Sequence, residues 1–206
     1  TFVWHAWIGG PYSRRHEAAI VDVAKIRALS LLSGGLDSQL AVCVLKAQDI
    51  EVHAIVFDSP FFGPEAARQA AGWLGVPLHI VDFTEDILSL VENPPHGFGS
   101  GMNPCIDCHA RMLRRAGEFM EKNGFHFLST GEVLNERPMS QNRQSLSVVA
   151  KDSGYDGLIV RPLSAQRLPE TRAEAMGWVD RSRLLSFCGR SRKPQIALAA
   201  ELGIQD

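Results

Sequence analysis

Two short patterns in this 206-residue chain carry side chains able to do chemistry. The first is Ser33-Gly34-Gly35-Leu36-Asp37-Ser38. It follows a short apolar run, residues 28–32, and opens a stretch, residues 36–47, with Leu36, Leu40, Val44 and Ala47 at helical spacing. A strand, a glycine turn and a helix in that order make an anion cradle. The glycines let the backbone approach an anion closely, and the helix start offers unpaired N–H groups and the positive end of its dipole. Ser33 and Ser38 add hydroxyls. No Gly-Lys-Ser/Thr follows, so this is not a Walker A loop, and the dinucleotide pattern Gly-x-Gly-x-x-Gly is absent. Asp37 would suit a metal beside phosphate, although an acid is favoured in any first helical turn.

The second pattern is Asn103-Pro104-Cys105-Ile106-Asp107-Cys108-His109. Cys-x-x-Cys-His is formally a haem attachment site, but that chemistry requires export, and the start TFVWHAWIGG lacks a basic segment followed by a long apolar one. A zinc site would draw Cys105 and Cys108 together with His109 and Cys188. Two unligated thiols in a core are the plain alternative. Cys43 lies in the apolar pattern of the first helix and reads as a core residue.

The elements that must position these residues alternate. Residues 52–57, 78–83, 125–129 and 158–160 read as strands after the first run. Residues 64–74, about 107–122 and about 140–151 read as helices. Strands alternating with helices of this length predict a doubly wound, mostly parallel five-stranded α/β sheet with helices on both faces. Residues 93–104, rich in Gly and Pro, read as a functional loop. Trp4 and Trp7 belong to a segment with no clear pattern.

Composition bounds the reading. Hydrophobic residues make up 45% and charged ones 21%, with 21 Lys and Arg against 23 Asp and Glu. Those values exclude collagen, coiled coil, wholesale disorder and a strongly basic chain. No apolar run reaches the roughly 18–20 residues of a membrane span. Four cysteines are too few for a disulfide scaffold. Charge is uneven: residues 161–193 hold eight Arg or Lys against three acids, +5 locally, so the rest carries −7. Arg111, Arg114 and Arg115 could extend this basic face for RNA phosphates.

Ser33 to Ser38 resembles the SGGxDS signature of the PP-loop ATP pyrophosphatase superfamily. Asn-Pro-Cys-x-x-Cys after such a loop resembles its tRNA-thiolating branch. Residues 129–141 (STGEVLNERPMSQ) and Arg161-Pro162-Leu163 are similar to segments of tRNA 2-thiouridylases and 4-thiouridine synthetases. The resemblance spans roughly residues 27–165. It implies an N-terminal extension (1–25), a PP-loop domain (26–165) and a basic helical segment packed on it (166–206).

The resemblance also implies an activity: ATP adenylates a tRNA uridine carbonyl, and sulfur then displaces AMP. ATP would be held by Ser33, Gly34, Gly35, Leu36, Asp37 and Ser38, with Phe57, Gly131, Ser140 and Gln141 bordering it and Mg²⁺ near Asp37. Arg137 and Arg161 would touch phosphate or the target nucleotide. Cys105, Cys108 and Cys188 would be catalytic, either as a persulfide carrier with a resolving thiol or as three ligands of a [4Fe–4S] cluster with one open iron. The implied partners are tRNA, a sulfide or persulfide donor, and a second copy or separate tRNA-binding domain, in the cytoplasm and away from membranes. An amide-forming PP-loop synthetase acting on a small molecule and a zinc-containing nucleotide- or RNA-binding module are the alternatives.

Overall fold

The computed structural model describes residues 25–98 and 104–204, so the segment with Trp4 and Trp7 lies outside the described residues. The element order is β1 (Arg27–Leu31), α1 (Leu36–Lys46), β2 (Glu51–Asp58), α2 (Glu65–Leu74), β3 (Leu78–Asp82), α3 (Thr84–Glu92), α4 (Cys105–Lys122), β4 (Phe127–Ser129), α5 (Arg143–Ser153) and β5 (Ile159–Val160). After a 3-10 turn at Ala165–Arg167 come α6 (Arg172–Ala175), a second 3-10 turn and α7 (Lys193–Leu202).

All five strands are parallel, in the order β3-β2-β1-β4-β5. The period-two alternation of a strand explains the two layers that cover them. Leu29, Ile55, Leu128 and Ile159 point to one face and pack with Leu113, Ala116 and Met120 of α4 and Val149 of α5. Ala28, Ala54, Val56 and Val160 point to the other and meet Val42 and Leu45 of α1 and Ala67, Ala70 and Ala71 of α2. A sheet buried on both faces is therefore apolar throughout. The strand order reverses between β1 and β4, and in such sheets ligands bind at the carboxyl ends of the strands flanking that reversal.

The sequence reading misses α3. Only Ile87 and Leu90 of that helix are buried, too few to show a period. Helix α4 starts at Cys105 rather than at 107, immediately after Pro104, so both cysteines of the pair are helical. Helix α5 starts at Arg143. The Asn142 side chain caps it by accepting from the Ser145 N–H at 2.9 Å, which leaves residues 140–142 in the preceding turn. Residues 161–193 are only partly helical, while α7 packs against α1 through Ala199, which joins Leu36, Leu40 and Ala41. Among the described residues, no helix is long and apolar enough to cross a membrane.

Candidate active site

The turn from β1 into α1 is fixed by its own backbone. Gly34 has φ +89°, and a Cβ there would lie 2.5 Å from the carbonyl carbon of Ala66, so only glycine lets α2 pack this close. The Ser38 hydroxyl donates to the Gly35 carbonyl at 2.7 Å, and the Gln39 amide donates to the Gly34 carbonyl at 2.8 Å. Gly35 is the N-cap and offers no side chain, so the first turn of α1 is left without a side-chain cap. Gly131, just beyond β4, comes so close that a Cβ would lie 2.5 Å from the Ser38 nitrogen. The loops after β1 and β4 thus touch at the switch point.

Between them opens a cleft of about 550 Å³. Ser33, Gly35, Leu36, Asp37 and Ser38 line it, together with Phe57 from the end of β2 and Gly131. Gln141 also lines it, its side-chain oxygen accepting from the Arg137 N–H at 3.1 Å. Ser140 departs from expectation. It is buried in the turn, where its N–H donates to the Arg137 carbonyl, and it is not part of the cleft wall.

The structure adds Glu136 and Arg192, which the sequence reading did not select, to Arg137, which it did. Glu136 lies beside Asp37, with Arg137 and Arg192 around both, and all four line the cleft. Burial raises the Asp37 pKa against the opposing pull of Arg192 and Arg137. Burial, then the Asp37 charge, raises that of Glu136. Asp37 Oδ1 is buried without a hydrogen-bond partner. Two close carboxylates with an orphaned oxygen fit Mg²⁺, which binds one or two carboxylates and takes its other ligands from phosphate and water.

Opposite them, Glu132 anchors a buried polar chain. Its Oε2 accepts from Arg161 Nε at 2.8 Å and from the Thr130 hydroxyl at 3.0 Å, while His109 Nδ1 lies 3.6 Å from Oε1. Burial alone would raise the Glu132 carboxyl, but Arg161 and then His109 outweigh it and hold the pKa at about 2. Arg161 is thereby occupied as the counter-ion of a buried carboxylate, and His109 keeps its ring in the cleft wall.

His109 connects the cleft to the cysteines. His109 and Met112 line it from α4, and Cys105 and Cys108 lie four residues before each on the same helix face. Asp107, between the cysteines, is buried and holds the preceding loop. It accepts from the His96 backbone N–H at 3.0 Å and pairs with His96 Nδ1 at 2.6 Å. That hydrogen bond raises the His96 pKa. Burial, with the charges of Cys105 and Asp107, pushes the Cys108 thiol up to about 11.

Cys188 sits elsewhere. It is exposed, bridges to Leu134, and takes a contact from the Asn135 amide at 3.6 Å. Among the described residues, no three His, Cys, Asp or Glu side chains converge as a metal site. The three cysteines therefore do not fit an iron–sulfur cluster in this arrangement, and Cys105, Cys108, His109 and Cys188 do not fit zinc. Cys43 packs against the core on α1.

The basic face is also smaller than the charge count implies. Arg161, Arg181 and Arg192 are ion-paired with Glu132, Glu174 and Glu136. Arg111 and Arg115 are drawn to Asp86 of α3, and Arg114 donates to the Asp152 carbonyl.

A glycine cradle and a carboxylate pair at the switch point of a parallel sheet define a nucleotide-binding α/β domain. The model of the family described as "Thiamine biosynthesis protein (ThiI)" matches residues 24–168, and the chain belongs to that family, within the tRNA-thiolation branch of the PP-loop ATP pyrophosphatases. It is 32% identical over 146 residues to a "Probable tRNA sulfurtransferase" of Thermoanaerobacter sp. (strain X514), covering 66% of this chain and 36% of that protein. It is 34% identical over 143 residues to the "tRNA-specific 2-thiouridylase MnmA" of Syntrophotalea carbinolica, covering 61% and 38%. The chain thus spans little more than a third of the relatives it matches. A 4-thiouridine synthetase solved with RNA and bound ATP shares the fold at a TM-score of 0.55 and 21% identity, covering 86% of this chain and 50% of that one.

Proposed function

We propose that the chain is the catalytic part of an ATP-dependent tRNA sulfurtransferase. ATP lies in the cleft with its phosphates on the Ser33–Ser38 loop and its adenine between Phe57 and Gly131. One observation carries the reading: the helix that bears Cys105 and Cys108 also walls the cleft that the glycine loop opens. That arrangement supports an ATP cradle and a sulfur site that work side by side. The names of the relatives, and the RNA and ATP held by the fold neighbour, support the same reading.

The chemistry follows from the groups present. A uridine carbonyl oxygen attacks the α-phosphorus of ATP, a P–O bond forms, and the bond to the β-phosphate oxygen breaks with its electrons leaving on pyrophosphate. The loop N–H groups meet the charge that develops there. Asp37 and Glu136 would hold Mg²⁺, which supplies further charge neutralisation on the phosphates. His109, braced by Glu132, borders the space left for the base. A persulfide sulfur carried on one cysteine of the Cys105–Cys108 pair attacks the activated ring carbon, and AMP departs. The thiolate of the other cysteine then attacks the carrier cysteine's sulfur, which breaks the S–S bond, frees the thiouridine and leaves a Cys105–Cys108 disulfide for a thiol reductant to reopen. A persulfide donor loads the pair by exchange at the same oxidation level, whereas free sulfide would attack the activated carbon directly. A cluster over Cys105, Cys108 and Cys188 would require Cys188 to move to the pair, and no step here depends on one.

With so many arginines paired internally, RNA binding is shared with a second copy or a separate domain. A tRNA substrate makes the cytoplasm the site of action. Nucleoside mass spectrometry of tRNA from a deletion strain tests the proposal. A thiouridine should vanish and return with the wild-type gene but not with Asp37→Asn. An unchanged thionucleoside profile overturns it, and pyrophosphate release driven by a small molecule with tRNA inert would favour the amide-forming alternative.

A further inference from the structure

The family match ends at residue 168, yet one side chain from beyond it lines the nucleotide cleft and a second packs behind the cleft wall. Arg192 lines the cleft, and Gln195 lies beside Asp37. Both come from the start of α7, which packs on α1 through Ala199 against Leu36, Leu40 and Ala41. That contact sets the first turn of α7 next to the first turn of α1.

Of three features at this junction, the helix start and Arg192 point to an anion, and Gln195 shows how Asp37 is held. First, Arg192 is the N-cap of α7 and makes no capping hydrogen bond, and no acidic residue occupies the first turn. Pro194 brings no N–H, so the helix start keeps the free N–H groups of Lys193 and Gln195 and its positive dipole end. Second, Gln195 is 1% exposed and lies against Asp37, where its amide favours the ionised carboxylate by hydrogen bonding. Third, Arg192 is held loosely, its Nε 3.7 Å from Glu136 Oε1. It can turn to a phosphate and release Glu136 for a cation. A guanidinium grips phosphate oxygens with two parallel N–H bonds.

We infer that this C-terminal arm is part of the ATP site: Arg192 and the first turn of α7 take the pyrophosphate end of the nucleotide, while Gln195 braces Asp37. The inference rests on the nucleotide reading above and adds to it a second phosphate-binding element, opposite the glycine loop. The arm then closes over the leaving group rather than the adenylate, so its contribution falls on ATP and pyrophosphate and not on AMP.

Titration calorimetry on the full chain with ATP, inorganic pyrophosphate and AMP tests this. Arg192→Gln should weaken ATP and pyrophosphate by about tenfold or more while AMP changes less than about twofold. Arg192→Lys, which keeps the charge but loses the fork, should fall between. Arg190→Gln, outside the cleft wall, should match wild type. Wild-type affinity for pyrophosphate in Arg192→Gln, or an equal loss of AMP, overturns the inference. A wild-type protein that binds none of the three probes overturns the nucleotide reading itself, so the two failures are distinguishable.

Discussion

Gly131 rests on the backbone of Ser38: a Cβ at position 131 would lie 2.5 Å from the Ser38 nitrogen and 2.6 Å from the Asp37 carbonyl carbon. The strand-end loop after β4 and the glycine loop after β1 therefore share one packing contact, and the cleft's width depends on it. The obstacle is backbone on an α-helix, which cannot swing aside like a side chain. Gly131→Ala should destabilise the fold by about 1–3 kcal/mol and weaken ATP more than it weakens folding alone would explain. Thermal unfolding paired with ATP titration separates the two effects. An alanine variant with unchanged ATP affinity would mean the loops do not need this approach.

Asp37 and Glu136 titrate as a pair. Both carboxyls are raised above their ordinary values, and the Asp37 charge is one cause of the rise at Glu136. Protons must leave both before a cation can be held. Pyrophosphate formation should then fall on the acid side at a higher pH than two unperturbed carboxylates would give. Glu136→Gln removes the later of the two ionisations, so its acid limb should move to lower pH while more Mg²⁺ is needed for half-maximal rate. Asp37→Asn should cost about 100-fold or more, as several kcal/mol of charge stabilisation are lost. An acid limb that does not move in Glu136→Gln would separate Glu136 from the metal.

Glu132 makes a different prediction. Its pKa is depressed to about 2 from an unperturbed value of 4.5. A depressed carboxyl stabilises the fold fully above the unfolded pKa, and that contribution is lost as the pH falls through the folded value. Urea unfolding should therefore show stability declining from about pH 5 toward pH 2. Glu132→Gln should flatten this slope. It should also cost about 3–5 kcal/mol, because Arg161 is left buried and uncompensated. Replacing both partners, Glu132→Met with Arg161→Met, should recover much of the loss. A single variant as stable as wild type would show that the pair is not held as described.

The contrast between these sites shows what a sequence displays. The glycine loop is six consecutive residues between two apolar runs, so its chemistry is visible locally, and the parallel sheet is legible because its strands are apolar on both faces. Glu132, His109 and Arg161 are assembled from three separate elements, and nothing in their neighbours marks them as partners. Arg192 and Gln195 reach Asp37 only because α7 packs on α1. The same physics narrows the basic face. A charge count cannot see that Glu132, Glu174 and Glu136 take up Arg161, Arg181 and Arg192. Helix α3, with two buried residues, carries too little pattern to be read at all.

The cysteines give the last prediction. With its pKa at about 11, Cys108 has only about a thousandth of its thiol ionised at pH 8. The thiolate is the reactive form, so iodoacetamide should label Cys108 slowly at pH 8 and faster as the pH rises. Exposed Cys188 should react first. Peptide mass spectrometry of a time course gives the order. If an iron–sulfur cluster forms, Cys188 must leave Asn135 to join the pair on α4. Anaerobic reconstitution with iron and sulfide would then protect Cys105, Cys108 and Cys188 together and produce visible absorbance that is lost in Cys188→Ala. If sulfur travels on the pair alone, Cys188 should stay open to alkylation in the persulfide-loaded protein, and Cys188→Ala should still form thiouridine while Cys105→Ala and Cys108→Ala do not. The present placement of Cys188 favours the second outcome, and iron bound stoichiometrically through all three thiols would reverse it.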